Sequence, residues 1–218
     1  MSNPPHGVTL DVCNRFIRPA TSSTHVSYAE LLSHTPFVQP ANWYVSHTWH
    51  YLFLEVVDAL SVFQASLSSP ASFWFCLFVN NQHAQAAPFA FWATRFQRSM
   101  PAIGHLVLVV TEWRRPVILK RAWCLLELYT AVSTHASIHV ALPSHQVAAV
   151  RAHPDAFATY ARTISMRRST ASVASDKAAI VAMLHAAIGL DAVDATLATA
   201  LAMHSTRASQ TLATLAVT

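Results

Sequence analysis

Apolar runs that stop abruptly at polar turns, each followed by apolar positions at helical spacing, constrain this chain more than any other feature. Residues 106–110 are uninterrupted in apolar character, as a strand buried on both faces of a sheet must be, and the run gives way to Thr111-Glu112-Trp113-Arg114-Arg115-Pro116. The same change occurs after Trp43-Tyr44-Val45-Ser46, where Leu52, Phe53, Val56, Val57, Leu60 and Phe63 follow at helical spacing with Glu55 and Asp58 opposite them. The pattern predicts strands at 43–46, 72–79, 103–110 and 137–142, with a short fifth at 163–166. Helices are expected at 28–33, 89–100 and 120–133 and from Ser144 onward. Strands and helices that alternate at these lengths imply a parallel sheet with helices on both faces, a three-layer α/β fold.

Residues 1–24 hold Pro4, Pro5 and Pro19 beside a Thr-Ser-Ser tract and read as a loose leader. The α/β domain is expected over 25–168. Beyond it, Ile180, Met183, Leu184 and Ile188 lead to Gly189, and Val193, Leu197 and Leu201 follow Asp191. Ser175 or Asp176 is suited to cap the first of these helices and Asp191 the second. They read as a helical hairpin over 169–205, with a tail at 206–218.

Composition removes several function classes. The chain has 218 residues, and only 11% of them are charged, well below the usual quarter. A surface so sparsely charged suggests a partner, either another protein or a second copy. The 14 Lys and Arg are scattered, with doublets at Arg114-Arg115, Lys120-Arg121 and Arg167-Arg168, so no basic stripe for nucleic acid is read. Three glycines are too few for a dinucleotide fingerprint or a phosphate loop. No apolar run approaches the ~20 residues that span a bilayer, and no secretory signal opens the chain. Cys13, Cys76 and Cys124 lack metal-ligand spacing and read as free thiols in a reducing, cytoplasmic setting. His47 and His50 lie three apart, but no further ligand pattern supports a metal site.

One segment carries candidate chemistry. Arg121-Ala122-Trp123-Cys124-Leu125-Leu126-Glu127-Leu128 places a carboxylate four residues after a tryptophan, on the same helical face. An otherwise apolar helix has reason to hold an acid only if the acid is solvated, paired with a neighbour such as Lys120 or Arg121, or used. Trp123, Cys124 and Leu125 read equally well as core.

Taken in order, Val45-Ser46-His47-Thr48-Trp49, Asn80-Asn81-Gln82-His83 and Trp123-Cys124-Leu125-Leu126-Glu127-Leu128 resemble the landmarks of the TIR (Toll/interleukin-1 receptor/resistance) domain. The likeness is greatest to the TIR-like N-terminal module of algal and water-mould tetratricopeptide-repeat proteins, and it covers roughly 25–205. The chain departs from that module at Cys76, where an acid is usual. The resemblance implies a flavodoxin-like parallel sheet of about five strands. It also implies a signalling role in which Glu127 is the catalytic carboxylate of an NAD-cleaving site. NAD would enter as substrate, with no cofactor. Ser46, His47, Trp49, Asn80, Asn81, His83, Trp113 and Trp123 would line the pocket, gathered at the carboxyl ends of the strands. The alternative reading is a non-catalytic TIR-like module that acts by self-association or by binding a protein partner. The two diverge on whether the Glu127 carboxylate opens into a cleft.

Overall fold

The computed structural model describes residues 7–84 and 87–215, the side chains of 204–215 excepted. Four strands pair in parallel among the described residues: β1 (Trp43–Ser46), β2 (Phe73–Trp74), β3 (His105–Val109) and β4 (Ser137–Ala141). Their order across the sheet is β2-β1-β3-β4. Leu106, Val107, Leu108 and Val109 are each fully buried, so the central strand is covered on both faces, as its unbroken apolar run requires.

The N-terminal segment departs from expectation. Thr9–Val12, Cys13–Ile17 (a π-helix) and Arg18–Ala20 run on as one helix, α1. Backbone bonds fasten its start to the chain after β1: Thr9 N–H donates to the Tyr51 carbonyl at 3.0 Å and Leu10 N–H to that of Trp49 at 3.2 Å. Val12, Cys13 and Ile17 are buried in the main core, and this burial makes the segment structural where its Pro and Ser/Thr content suggests a loose leader. The first six residues of that leader lie outside the described residues. The short helix α2 (Tyr28–Leu31) starts at a capping box, in which Ser27 Oγ accepts from Glu30 N–H and the Glu30 carboxylate accepts from Ser27 N–H.

Helix α3 (Phe53–Ala65) follows β1. The aromatic run at 72–79 forms a strand only over Phe73 and Trp74, which pair with Trp43 and Tyr44. Beyond them the chain coils into a helical turn, α4 (Cys76–Val79). There the Phe75 carbonyl accepts from Phe78 and Val79 N–H groups, so the backbone is satisfied locally, while Phe78 packs its ring against Tyr28 and Phe53. Helix α5 (Phe89–Ile103) ends at Gly104, whose φ of 74° is the left-handed conformation that glycine adopts freely at a helix C-terminus. Then come β3, helix α6 (Ala122–Ser133), β4 and two short helices, α7 (Val147–Ala152) and α8 (Ala156–Ala161).

Alternation along β1 separates the faces. Tyr44 and Ser46 reach Glu127 of α6, whereas Trp43 meets Phe63 of α3 edge to face. The sheet therefore lies between these two helices. No strand forms at 163–166: Met166 N–H bonds the Asp194 carboxylate at 2.8 Å instead of a strand partner, and Ile164 and Met166 enter the core as side chains.

The last two helices, α9 (Ala174–Ile188) and α10 (Leu190–Leu215), meet at 89° across Gly189. They form a right-angled corner where the sequence predicts a helical hairpin. Gly189 sits at φ 81°, ψ 145°, a region essentially restricted to glycine, and that conformation sets the turn. α10 packs on α6, α8 and β4, burying Leu190, Val193, Leu197 and Leu201. It continues to Leu215, through most of the expected tail, whose last three residues lie outside the described ones. No single helix among the described residues is long and apolar enough to cross a membrane. The α9–α10 pair passes that test only jointly, as a broken span, and its apolar face is spent on the core.

Candidate functional site

β1 ends at Ser46, and the next residues, His47, Thr48 and Trp49, form one wall of a cleft of about 450 Å³. Asn80, Asn81 and Gln82, after α4, form a second wall. Trp92 and Phe96 of α5 and Trp123, Cys124 and Glu127 of α6 supply the rest, with Leu10 of α1 at the edge. The chain crosses between β1 and β3 to reverse its strand order, and the carboxyl ends of strands at such a point are where open parallel sheets bind ligands. The volume falls in the range of small-molecule sites.

Glu127 is 7% exposed and nevertheless borders this cleft. Neither Lys120 nor Arg121 pairs with it. Its partners are hydroxyls from β1: Tyr44 donates to Oε1 at 3.1 Å and Ser46 to Oε2 at 2.6 Å. Burial pushes its pKa up from 4.5 to about 7, and the two hydroxyls offset only part of that rise. The carboxyl group is therefore poised to change protonation near neutrality. Tyr44 is itself fully buried and stacks on Trp74, ring centroids 4.4 Å apart, so its hydroxyl is fixed. Tyr44→Phe is expected to raise the Glu127 titration by about one pH unit, because one hydrogen bond to the ionised form is lost. Infrared titration of the carboxyl band checks this, and an unchanged midpoint would show the bond to be inconsequential.

His47 is 6% exposed, lies edge-on to Phe75, and is pushed down to about 3 by burial, so its imidazole stays neutral. Its Nε2 and the Oδ1 of Asn80 are buried without a hydrogen-bond partner. Such groups are rare in folded proteins, and both of these residues border one cleft. Cys76 and Cys124 also border it, but burial pushes Cys76 up to about 12 and Cys124 well above the ordinary thiol value. Both remain thiols and neither is a nucleophile at neutral pH.

Of the residues predicted from sequence, Glu127, His47, Trp49, Asn80, Asn81 and Trp123 come together on the cleft wall. Ser46 lies behind it, holding Glu127. Two residues are elsewhere. His83 bonds Thr21 at 2.7 Å and stacks on His25, tied to the N-terminal segment. Trp113 is fully buried, donates its Nε1–H to the His153 carbonyl and stacks on Phe157. The chain after β3 turns away from the cleft and spends Trp113 on the core beneath α8. Sequence reasoning did not anticipate Tyr44, Trp92, Phe96, Arg121 or Asp176 as parts of the site. Trp92 and Phe96, four apart, carry the only periodic signal among them. Asp176, suited by sequence to a cap, instead accepts from Trp123 Nε1–H at 3.1 Å.

A more open depression of about 550 Å³ is lined by Arg114, His153, Asp155 and Tyr160. It gathers no buried ionisable group, and the cleft at Glu127 is the better candidate. Among the described residues no three His, Cys, Asp or Glu side chains converge as a metal site. Comparison with protein-family models, curated proteins and solved structures yields no match to this chain.

Proposed function

We propose that the chain is a TIR-like signalling domain of flavodoxin-like fold whose cleft cleaves NAD to nicotinamide and ADP-ribose. The observation that carries this reading is a single buried carboxylate, Glu127, bordering an aromatic-walled cleft at the strand-order reversal. When the bond between nicotinamide nitrogen and ribose C1′ breaks, its electron pair returns to the pyridinium ring. Nicotinamide leaves neutral and needs no general acid. Positive charge develops on the ribose, where an ionised carboxylate in a dry site stabilises it. Water then attacks C1′ and releases its proton. Trp49, Trp92 and Trp123 offer faces for the rings, and Asn80 and Asn81 offer amides for ribose hydroxyls.

Glu127 acts when ionised, so cleavage is expected to rise with pH and level off above about 7. Concentrated protein incubated with NAD should release nicotinamide, and Glu127→Ala should lower the rate by about a hundredfold to a thousandfold. Equal release by both proteins would sink the enzymatic reading.

One observation favours the alternative, a self-associating or adaptor module that binds a protein partner. Glu127 is nearly enclosed, while Leu52 and, on α3, Leu54 and Val57 are exposed. Absence of nicotinamide release across the pH range, together with concentration-dependent assembly in sedimentation, would decide for it.

A further inference from the structure

Arg121 immediately precedes α6 and lines the same cleft as Glu127. It is held in place by neutral groups. Its two terminal nitrogens donate to Thr170 Oγ1 at 3.1 Å and Ser172 Oγ at 2.9 Å. These hydroxyls come from a segment clamped beside it, since Thr170 N–H bonds the Lys120 carbonyl at 2.8 Å and Ala122 N–H bonds that of Thr170 at 2.9 Å. No carboxylate forms an ion pair with Arg121 among the described residues. The cleft's other acid, Asp176, is engaged by Trp123. A guanidinium has five N–H donors in a rigid fork, and here two of them are used to fix its position. What remains is an oriented cation with spare donors and no counter-ion, at the edge of a cleft whose wall holds a carboxylate.

We infer that Arg121 anchors a phosphate group, so that the cleft takes phosphate-bearing nucleotides in preference to bare nucleosides. Guanidinium and phosphate match in charge and in paired donor geometry. Six residues of helix separate Arg121 from Glu127, about 9 Å along the axis. A ribose bridges that interval, with its C1′ toward the carboxylate and its 5′-phosphate toward the cation. This assignment rests on the NAD-cleaving reading for its substrate but not for its chemistry, because phosphate binding requires no catalysis.

The test is calorimetric titration of ADP-ribose into the full chain and into Arg121→Lys and Arg121→Gln, at low and at high salt. Binding is expected to weaken about tenfold to hundredfold in Arg121→Gln. Arg121→Lys, which keeps the charge but loses the fork, should fall between. Salt should weaken binding to the wild type much more than to Arg121→Gln. Wild-type affinity in Arg121→Gln, or no binding to the wild type, would overturn the inference. If thermal melting shows Arg121→Gln to be unfolded, Ser172→Ala, which removes one pinning hydroxyl, should still weaken ADP-ribose binding severalfold, and unchanged affinity there overturns the proposal equally. NAD turnover separates the two ideas. A wild type that binds ADP-ribose through Arg121 yet releases no nicotinamide removes the enzyme and keeps the phosphate subsite. Turnover with the same KM in Arg121→Gln does the reverse.

Discussion

Glu127→Gln is expected to stabilise the protein against urea, and its advantage over wild type should widen by about 3 kcal/mol between roughly pH 4 and pH 8. The folded chain holds the Glu127 proton up to about 7, whereas the unfolded chain releases it near 4.5. Between those values the native state binds a proton that the unfolded state has lost, so wild-type stability falls as pH rises through the window. Glutamine has no such proton, and the hydroxyls of Tyr44 and Ser46 can turn to meet its amide. His47 acts with opposite sign. Its ring stays neutral in the fold down to about 3 but protonates near 6.5 when unfolded, so its contribution is lost as pH falls from 6.5 toward 3. That loss is common to both proteins and cancels in their difference. An advantage that stayed constant with pH would mean that the folded carboxyl ionises normally, and the argument for a desolvated acid would collapse. The same substitution should remove nicotinamide release, because the group that weakens the fold at neutral pH is the one proposed to act on the ribosyl cation.

A chain ending at Gly189 is expected not to fold at all. Leu190, Val193, Leu197 and Leu201 are each at most 3% exposed, and full burial of such a side chain contributes about 1.5–3 kcal/mol. Together they supply roughly 6–12 kcal/mol, comparable to the whole stability of an ordinary domain. Loss of α10 would also uncover β4 and the faces of α6 and α8. The milder variant Leu197→Ala should remain folded but lose about 2–5 kcal/mol. Circular dichroism and urea melts distinguish these outcomes. A cooperative, native-like melt from the truncated chain would show that the sheet and its helices stand alone, with the last helices an appendage.

Much of the frame is legible before any coordinates, and the failures share a cause. β1 comes out at 43–46, because an apolar run that stops at a polar turn leaves no competing reading. The run at 103–110 contains β3 for the same reason, although Ile103 closes the preceding helix and Gly104 caps it. The stretch at 72–79 is equally apolar, yet it yields two strand residues and a helical turn. Periodicity cannot say whether a fully apolar run is a strand or a buried helix, and the pairing that decides here is with β1, a strand only four residues long. At 163–166 the deciding group is Asp194, distant in sequence, which takes the Met166 N–H. The Trp-Cys-Leu motif leads to Glu127 and strand-end logic to Trp49, Asn80 and Asn81, and all four border the same cleft. That logic fails for Trp113 and His83, since where a chain goes after its strand is settled by later packing. Tyr44 reads as core, and it is core. Its role appears only because its hydroxyl, fully enclosed, meets an acid 83 residues away.

The right-angled corner at Gly189 has a consequence in time. β4 is an edge of the sheet, and an uncovered edge strand is a template for pairing with other chains. Its cover, α10, reaches Leu201 about 60 residues after Ala141. At a synthesis rate of about 5–20 residues per second, that interval lasts roughly 3–12 s. Throughout it the nascent chain carries the four strand segments β1 to β4 without the helix on which their assembly depends. The chain ending at Gly189 is a lasting copy of that interval, so its tendency to aggregate measures how much the growing protein depends on help before its final turn is made.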